Sequence, residues 1–353
     1  MKIGFDAKRY SQNSTGLGNY SRWVVDSLAK RNSFDYHLYH PKELSQKVEL
    51  PTHHPEGINS AVPSLWRTRF VCARLEEDGM DIFHGLSNEL PFGIHKTNVK
   101  SVVTIHDLIN KRYPENYSPV DRVIYNRKLH YAQKHADKII VPSAQTSEDL
   151  TLYFGTPKSK IEIIPLAYLP GKTSVLAETA QSPYILCVSS FDKRKNLVRL
   201  VKAFHEADCD HKLVICGKKG NQLSRVKKII KDLKANVEVK TNVDNKELNL
   251  LYSGALFCVY PSYFEGFGIP ILEAFSYGKA VATSAISSMP EVGGNAAVYF
   301  DPNITDSMTA AITKLLIDSE REKIETNIKQ QLTLFESDKL IKRYESLYEG
   351  LIT

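Results

Sequence analysis

Disulfide chemistry has little to draw on in this chain. Its 353 residues hold five cysteines, Cys72, Cys187, Cys209, Cys216 and Cys258, scattered and without a C-x-x-C pair. An odd, dispersed set argues for a reducing compartment. Three of the five sit in apolar runs ("YILCVSS", "KLVICG", "ALFCVYPS"), where a thiol reads as a small buried hydrophobe. Long apolar runs are lacking too. None approaches the roughly 18 residues of a membrane span, and the N-terminus "MKIGFDAKRY" enters a strand at once, without the apolar core or cleavage site of a signal peptide. Charge of one sign is scarce, with a formal net charge of +6. That excess suits an anionic ligand or a lipid surface, and solubility accounts for it equally well. No basic run is interleaved with aromatics, which argues against nucleic acid as a partner. The expected location is cytoplasmic.

A chain of this length implies two domains. Short β-type runs alternate with helical ones: "KIGFDA", a polar glycine loop "KRYSQNSTGLGNYS", the helix "YSRWVVDSLAKR", then strands "DYHLYH", "DIFHGL", "SVVTIHDL" and "KIIVPS" around the long helix "VDRVIYNRKLHYAQKHAD". The rhythm restarts after residue 183 with "YILCVSS", "KLVICG", "VEVKTN", "LFCVYPS" and "KAVATS". Such alternation with near-continuous apolar strands predicts parallel sheets covered on both faces. The proline-bearing stretch "EIIPLAYLPGKTSVLAETAQSP" reads as the interdomain connection. Two doubly wound domains facing each other would bind ligands at the carboxyl ends of their strands.

One stretch after such a strand is unusual: "YPSYFEGFGIPILEAFSYGKAV", residues 260–281. Glu265 precedes a tight "GFG" turn, and Glu273 follows in the first turn or so of a helix that opens with Pro270 and ends at Gly278. Glycines at 266 and 268 let the backbone approach a ligand, and the free N–H groups of the helix start favour anionic or hydroxyl-rich groups. Glu273 is suited to accept two hydrogen bonds from a vicinal diol such as a ribose, and Glu265 to accept from sugar hydroxyls. Taken singly, each also reads as a helix-capping carboxylate. A second stretch, "CVSSFDKRKNL", clusters Lys193, Arg194 and Lys195 at a strand-to-helix turn, where cations meet the charge of a departing diphosphate; the plainer reading is a solvated charge run.

"EGFGIPILE" resembles the E-x7-E motif of the retaining glycosyltransferases of family 4, and the likeness extends over nearly the whole chain, weakest from about 40 to 75. The resemblance implies an α/β GT-B fold of two Rossmann-like domains facing a central cleft. It places an acceptor-binding domain at 1–167, with a C-terminal helix 337–353 open to packing back on it, and a nucleotide-sugar domain at 168–336. It implies catalytic roles for His106, Arg194, Lys195 and Glu265, and donor contacts from Gly16, Gly18, Ser190, Lys195, Gly266, Phe267, Gly268, Ile269 and Glu273. His106 comes from "TIHD". His84, in "DIFHGLSNELP", also lies in a family-like segment. Lys195 matches the diphosphate-binding lysine, whereas the family's upstream arginine falls on Ser190, so Arg194 is the candidate replacement. A Rossmann fingerprint at "TGLGNY" is incomplete, because Ser21 stands where a third glycine belongs; in the resembled family this loop lies near the diphosphate.

The implied reaction is sugar transfer from a nucleotide-diphosphate donor, with GDP-mannose the guess because the segments look most like bacterial mannosyltransferases of surface-polysaccharide assembly. The acceptor would be a glycan or lipid-linked hydroxyl. No cofactor or metal is expected; the Asp-x-Asp of Asp208 and Asp210 lies after a helix and before a strand, at the wrong end of the sheet. A UDP-sugar-dependent transferase or a nucleotide-sugar epimerase of the same fold stays open, as does a non-catalytic glycan-binding protein. Peripheral contact with the inner face of a membrane is a further expectation: "SLWRTRFVCARLEED" reads either as a surface helix exposing Trp66 and Phe70 or as one whose apolar face packs inward.

Overall fold

The structure, a computed structural model, describes residues 1–12, 16–43, 48–168 and 183–353, with the backbone alone given at 12 and 58. Most of the expected connection, 169–182, and Thr15 of the "TGLGNY" stretch lie outside the described residues. The chain divides into two compact units: residues 1–167 with 337–353, and residues 168–336.

The first unit carries a parallel sheet of order β3-β2-β1-β4-β5-β6-β7. Its strands are β1 (Lys2–Asp6), β2 (Asp35–Tyr39), β3 (Thr52–His53), β4 (Ile82–Gly85), β5 (Lys100–Thr104), β6 (Lys138–Val141) and β7 (Ile161–Ile163). The central strands are apolar on both faces, with Ile3, Phe5, Val102, Val103, Ile139 and Ile140 fully buried, as a sheet covered on both sides requires. Local chemistry sets the helix ends. Ser118 accepts from the Asp121 N–H ahead of Pro119, Ser143 accepts from the Thr146 N–H, and Gly155 closes its helix at φ +65°, each satisfying orphan backbone groups. The helix Ser337–Ile352 belongs to this unit. Tyr344 bonds the Tyr20 hydroxyl at 2.9 Å, Trp23 Nε1 donates to Ser337 Oγ at 2.8 Å, and Arg31 pairs with Glu345 at 2.9 Å.

The second unit repeats the design with six strands in the order β10-β9-β8-β11-β12-β13: β8 (Tyr184–Val188), β9 (Lys212–Gly217), β10 (Val237–Thr241), β11 (Ala255–Tyr260), β12 (Val281–Ser284) and β13 (Ala297–Phe300). All pairings are parallel. In each sheet the strand order reverses at one point, between β1 and β4 in the first and between β8 and β11 in the second. Ligands of open α/β sheets bind outside the carboxyl ends of the strands at that reversal.

Three expectations change. The glycine loop over 8–21 is largely helical: a short helix covers Lys8–Gln12, and Gly16 and Gly18 lie in the first turn of the helix Gly16–Arg31. Trp66 is buried in the core while Phe70 is exposed, and residues 66–70 form a π-turn rather than a regular α-helix. Glu273 is the fifth residue of the helix Ile269–Ser276, one residue deeper than its spacing from Pro270 implied, because the helix opens at Ile269. The Asp208–Asp210 pair lies between the helix Leu197–Glu206 and β9, and among the described residues no cluster of three or more His, Cys, Asp or Glu is arranged to hold a metal.

Candidate active site

The second unit's site grows from the loops that follow β8 and β11, the two strands flanking its reversal point. After β8 the chain turns through Ser190, whose hydroxyl donates to Asp192 at 2.6 Å. A single 3-10 turn, Lys193–Lys195, then ends at Asn196 in the left-handed region (φ +58°). Asn196 Nδ2 donates to the Pro302 carbonyl at 2.8 Å, so the turn is anchored from below. The result is a buried lysine: Lys195 is 8% exposed.

After β11 the loop carries Glu265, also 8% exposed. The two loops meet through charge. Lys195 Nζ lies 2.7 Å and Arg194 Nη1 2.5 Å from the same oxygen, Glu265 Oε1. Arg194 also donates to the Phe264 carbonyl, and its own carbonyl accepts from the Tyr263 N–H at 2.9 Å. Lys195 spends a second proton on the Tyr260 hydroxyl at 2.9 Å. Burial pushes the Glu265 carboxyl up, but Lys195 and Arg194 outweigh it and hold the group at about 2. Burial pushes the Lys195 ammonium down, with Glu265 opposing. Two cations share one carboxylate, so the cluster carries a surplus positive charge.

The turn is fixed from the other side by Ser287 and Ser288. Both hydroxyls donate to the Glu265 carbonyl, at 2.8 and 2.9 Å; Ser288 also reaches the Phe267 carbonyl at 2.6 Å, and Ser287 Oγ accepts from the Glu265 N–H at 3.2 Å. Gly266, Phe267 and Gly268 are buried and Ile269 half-buried. Gly268 sits at φ +121° just before the helix, a conformation that a side chain would strain. Glu273 points from that helix at Tyr252, whose hydroxyl donates to Oε2 at 2.7 Å. Burial raises the Glu273 carboxyl, and the Tyr252 bond works against the rise.

The first unit holds the remaining predicted residues. His106 follows β5. Its backbone N–H donates to Asn88 Oδ1 at 2.8 Å, and its Nε2 lies 2.9 Å from the Leu86 carbonyl. That nitrogen must carry the proton, which leaves Nδ1 an acceptor. The ring packs edge-on against Tyr20 at 4.6 Å, and burial lowers its pKa to about 4, so it is neutral at physiological pH. Gly16 is exposed and Gly18 buried. His84 is a core residue instead: fully buried, it bridges the Tyr348 hydroxyl at 2.7 Å and Thr104 Oγ1 at 2.8 Å, and burial depresses it to about 3.

Sequence reasoning missed a second ion cluster at the first sheet's reversal point. Buried Arg67 donates from Nε to both Asp6 oxygens at 3.1 Å, and its Nη2 lies 2.6 Å from Glu89, which Lys128 also reaches at 3.1 Å. Asp6 ends β1 and Glu89 follows β4. Burial raises the Glu89 carboxyl, but Arg67 and Lys128 prevail and hold it at about 2. Nothing in the local pattern marks these residues, which lie 61 and 22 positions apart; an arginine in the apolar "SLWRTRF" was the one available signal.

Comparison with known proteins bears on both units. Residues 16–168 match the model described as Glycosyltransferase Family 4, and residues 173–331 the model described as Glycosyl transferases group 1. The O-antigen chain mannosyltransferase B of Escherichia coli is 30% identical over 360 residues, covering 92% of this chain and 93% of that protein. Among solved structures, sucrose-phosphate synthase from Thermosynechococcus elongatus superposes with a TM-score of 0.79 at 19% identity, covering 99% of each chain. Anabaena HepE in complex with UDP-glucose gives 0.75 at 16% identity, covering 99% of this chain and 100% of that one. The fold is GT-B.

Proposed function

The chain belongs to the glycosyltransferases whose family 4 and group 1 models its two halves match, and we propose that within that family it is a retaining mannosyltransferase. Its donor is GDP-mannose, and its acceptor is a hydroxyl on a glycan or lipid-linked oligosaccharide of surface-polysaccharide assembly. The observation that carries the chemistry is the contact of Lys195 and Arg194 with Glu265 at the carboxyl ends of β8 and β11. The mannosyl assignment draws on the near full-length E. coli relative.

In this reading the diphosphate lies against Lys195 and Arg194. The anomeric C–O bond breaks with its electron pair passing to the phosphate oxygen, and the surplus positive charge of the cluster meets the negative charge that develops. The acceptor oxygen forms its bond on the face being vacated, and its proton passes to that same phosphate oxygen. Glu265 and the turn at Gly266–Gly268 orient the sugar, and Glu273 takes the ribose diol. His106, neutral and with Nδ1 able to accept, holds a sugar hydroxyl. Product NMR is expected to give the anomeric configuration of the donor; inversion rejects the mechanism. Because protein cations meet the leaving-group charge, turnover is expected to survive EDTA.

Two measurements test the donor and its site. GDP is expected to raise the melting temperature more than UDP, by about 3 kcal/mol of added stability at a hundredfold excess over Kd. A UDP preference instead favours a UDP-sugar-dependent transferase, the reading to which HepE with its UDP-glucose is a parallel. Glu273→Ala removes a half-buried acceptor of two hydroxyls, so nucleotide affinity is expected to fall roughly tenfold to a hundredfold, read by titration calorimetry, while Tyr252 is left without its acceptor.

A further inference from the structure

The chain's net charge is not spread over its surface. Residues 218–234 hold seven cations (Lys218, Lys219, Arg225, Lys227, Lys228, Lys231 and Lys234) and one carboxylate, Asp232. Their surplus of six equals the surplus of the whole chain, so everything else balances to zero. All seven side chains are exposed, and among the described residues none is in an ion pair. Lys218 and Lys219 lie in the loop after β9. The other five sit on the helix Leu223–Leu233 or at its C-cap, Lys234. The opposite face of that helix is spent: Val226 is fully buried, and Ile229, Ile230 and Leu233 pack against the core.

We propose that this cationic face is an electrostatic docking surface for an anionic lipid bilayer. Four to eight Lys or Arg on one face of an amphipathic helix match the charge that acidic headgroups present. Six of the seven are lysines, compact point charges suited to diffuse phosphates rather than to bidentate recognition of one group. The segment contains no aromatic residue on which a base would stack, as single-stranded nucleic-acid surfaces require. It also exposes no large apolar side chain among the described residues, so the attachment is coulombic and salt-reversible rather than inserted. The choice of a lipid surface over other polyanions rests on the lipid-linked acceptor proposed above.

The full chain should be sedimented with vesicles of neutral phosphatidylcholine, and with vesicles containing about 30 mol% phosphatidylglycerol, at about 50 and about 500 mM NaCl. Binding is expected to the anionic vesicles at low salt only. Replacing Lys227, Lys228 and Lys231 together by Glu is expected to weaken it roughly a hundredfold. The same charge change made at Lys314, Lys323 and Lys329, all exposed on the same unit, is expected to cost less than about threefold. Equal binding to neutral vesicles, equal loss in the two triple variants, or tighter binding to duplex DNA than to vesicles overturns the proposal. Transfer to a soluble acceptor is expected to persist in the first triple variant. If the native chain binds anionic vesicles but transfers no sugar, the function proposed above fails and the docking surface stands.

Discussion

Lys195→Ala is expected to lower kcat by roughly two to three orders of magnitude, with KM changed far less. The reason lies in when the ammonium matters. In the ground state Lys195 already has partners, Glu265 at 2.7 Å and the Tyr260 hydroxyl at 2.9 Å. An ammonium has three protons, so a third remains for the oxygen that becomes an anion as the sugar departs. A charge that strengthens its interaction only as the bond breaks contributes to kcat rather than to binding. Single-turnover measurements with a GDP-sugar separate that step from product release. Lys195→Arg tests the geometry: a guanidinium beside Arg194 crowds the shared oxygen, and partial rescue is expected at most. Arg194→Ala is expected to slow turnover as well. If it did not, the role of Arg194 would be confined to holding Glu265 and the Phe264 carbonyl, and Ser190 would mark a site working with one cation fewer than the family pattern.

The second large effect is on stability. Glu265→Gln leaves the buried Lys195 and the half-buried Arg194 without the carboxylate they share, and breaking a buried pair from one side is strongly destabilising. The carboxyl is held at about 2 against an ordinary value near 4.5, which corresponds to about 3 kcal/mol. The melting transition is therefore expected to fall by roughly 6–12 °C. The same shift fixes the pH dependence. Because the folded-state pKa is depressed, the contribution is fully present above about 4.5 and is lost as pH falls from there toward about 2. Glu89 in the first unit behaves in the same direction. Urea midpoints measured from neutral pH down to about 3 should decline in the native chain and decline less steeply in Glu265→Gln. A native-like melting temperature in that variant would show that the cations are solvated and the cluster is not buried in solution.

Strand positions were legible because their apolar runs are nearly continuous and end in Ser, Pro, Asp or Gly. The four-residue β13 went unread as a strand, and the two-residue β3 left too short a pattern to see. The motif residues Arg194, Lys195 and Glu265 stood out one by one, but their common oxygen is a property of chain folding over 70 positions. Tyr252, Ser287 and Ser288 were invisible, since a hydroxyl acquires its role only from the carbonyl or carboxylate that the fold brings to it. The Asp6–Arg67–Glu89 cluster failed for the same reason. The glycines at 16 and 18 misled in the other direction: glycine signals a loop, yet at a helix's first turn it costs little, because hydrogen bonds there are incomplete.

The helix Ser337–Ile352 closes over Tyr20, Trp23 and His84, residues translated more than 250 positions earlier. During synthesis at about 5–20 residues per second, the intervening unit occupies the ribosome for roughly 10–30 s. Through that interval the amino-terminal lobe waits unfinished, its tyrosine and tryptophan rings uncovered. Nascent chains stalled before residue 337 should consequently be the species that chaperones hold and proteases clip, while the later-made lobe, contiguous in the polypeptide, matures first.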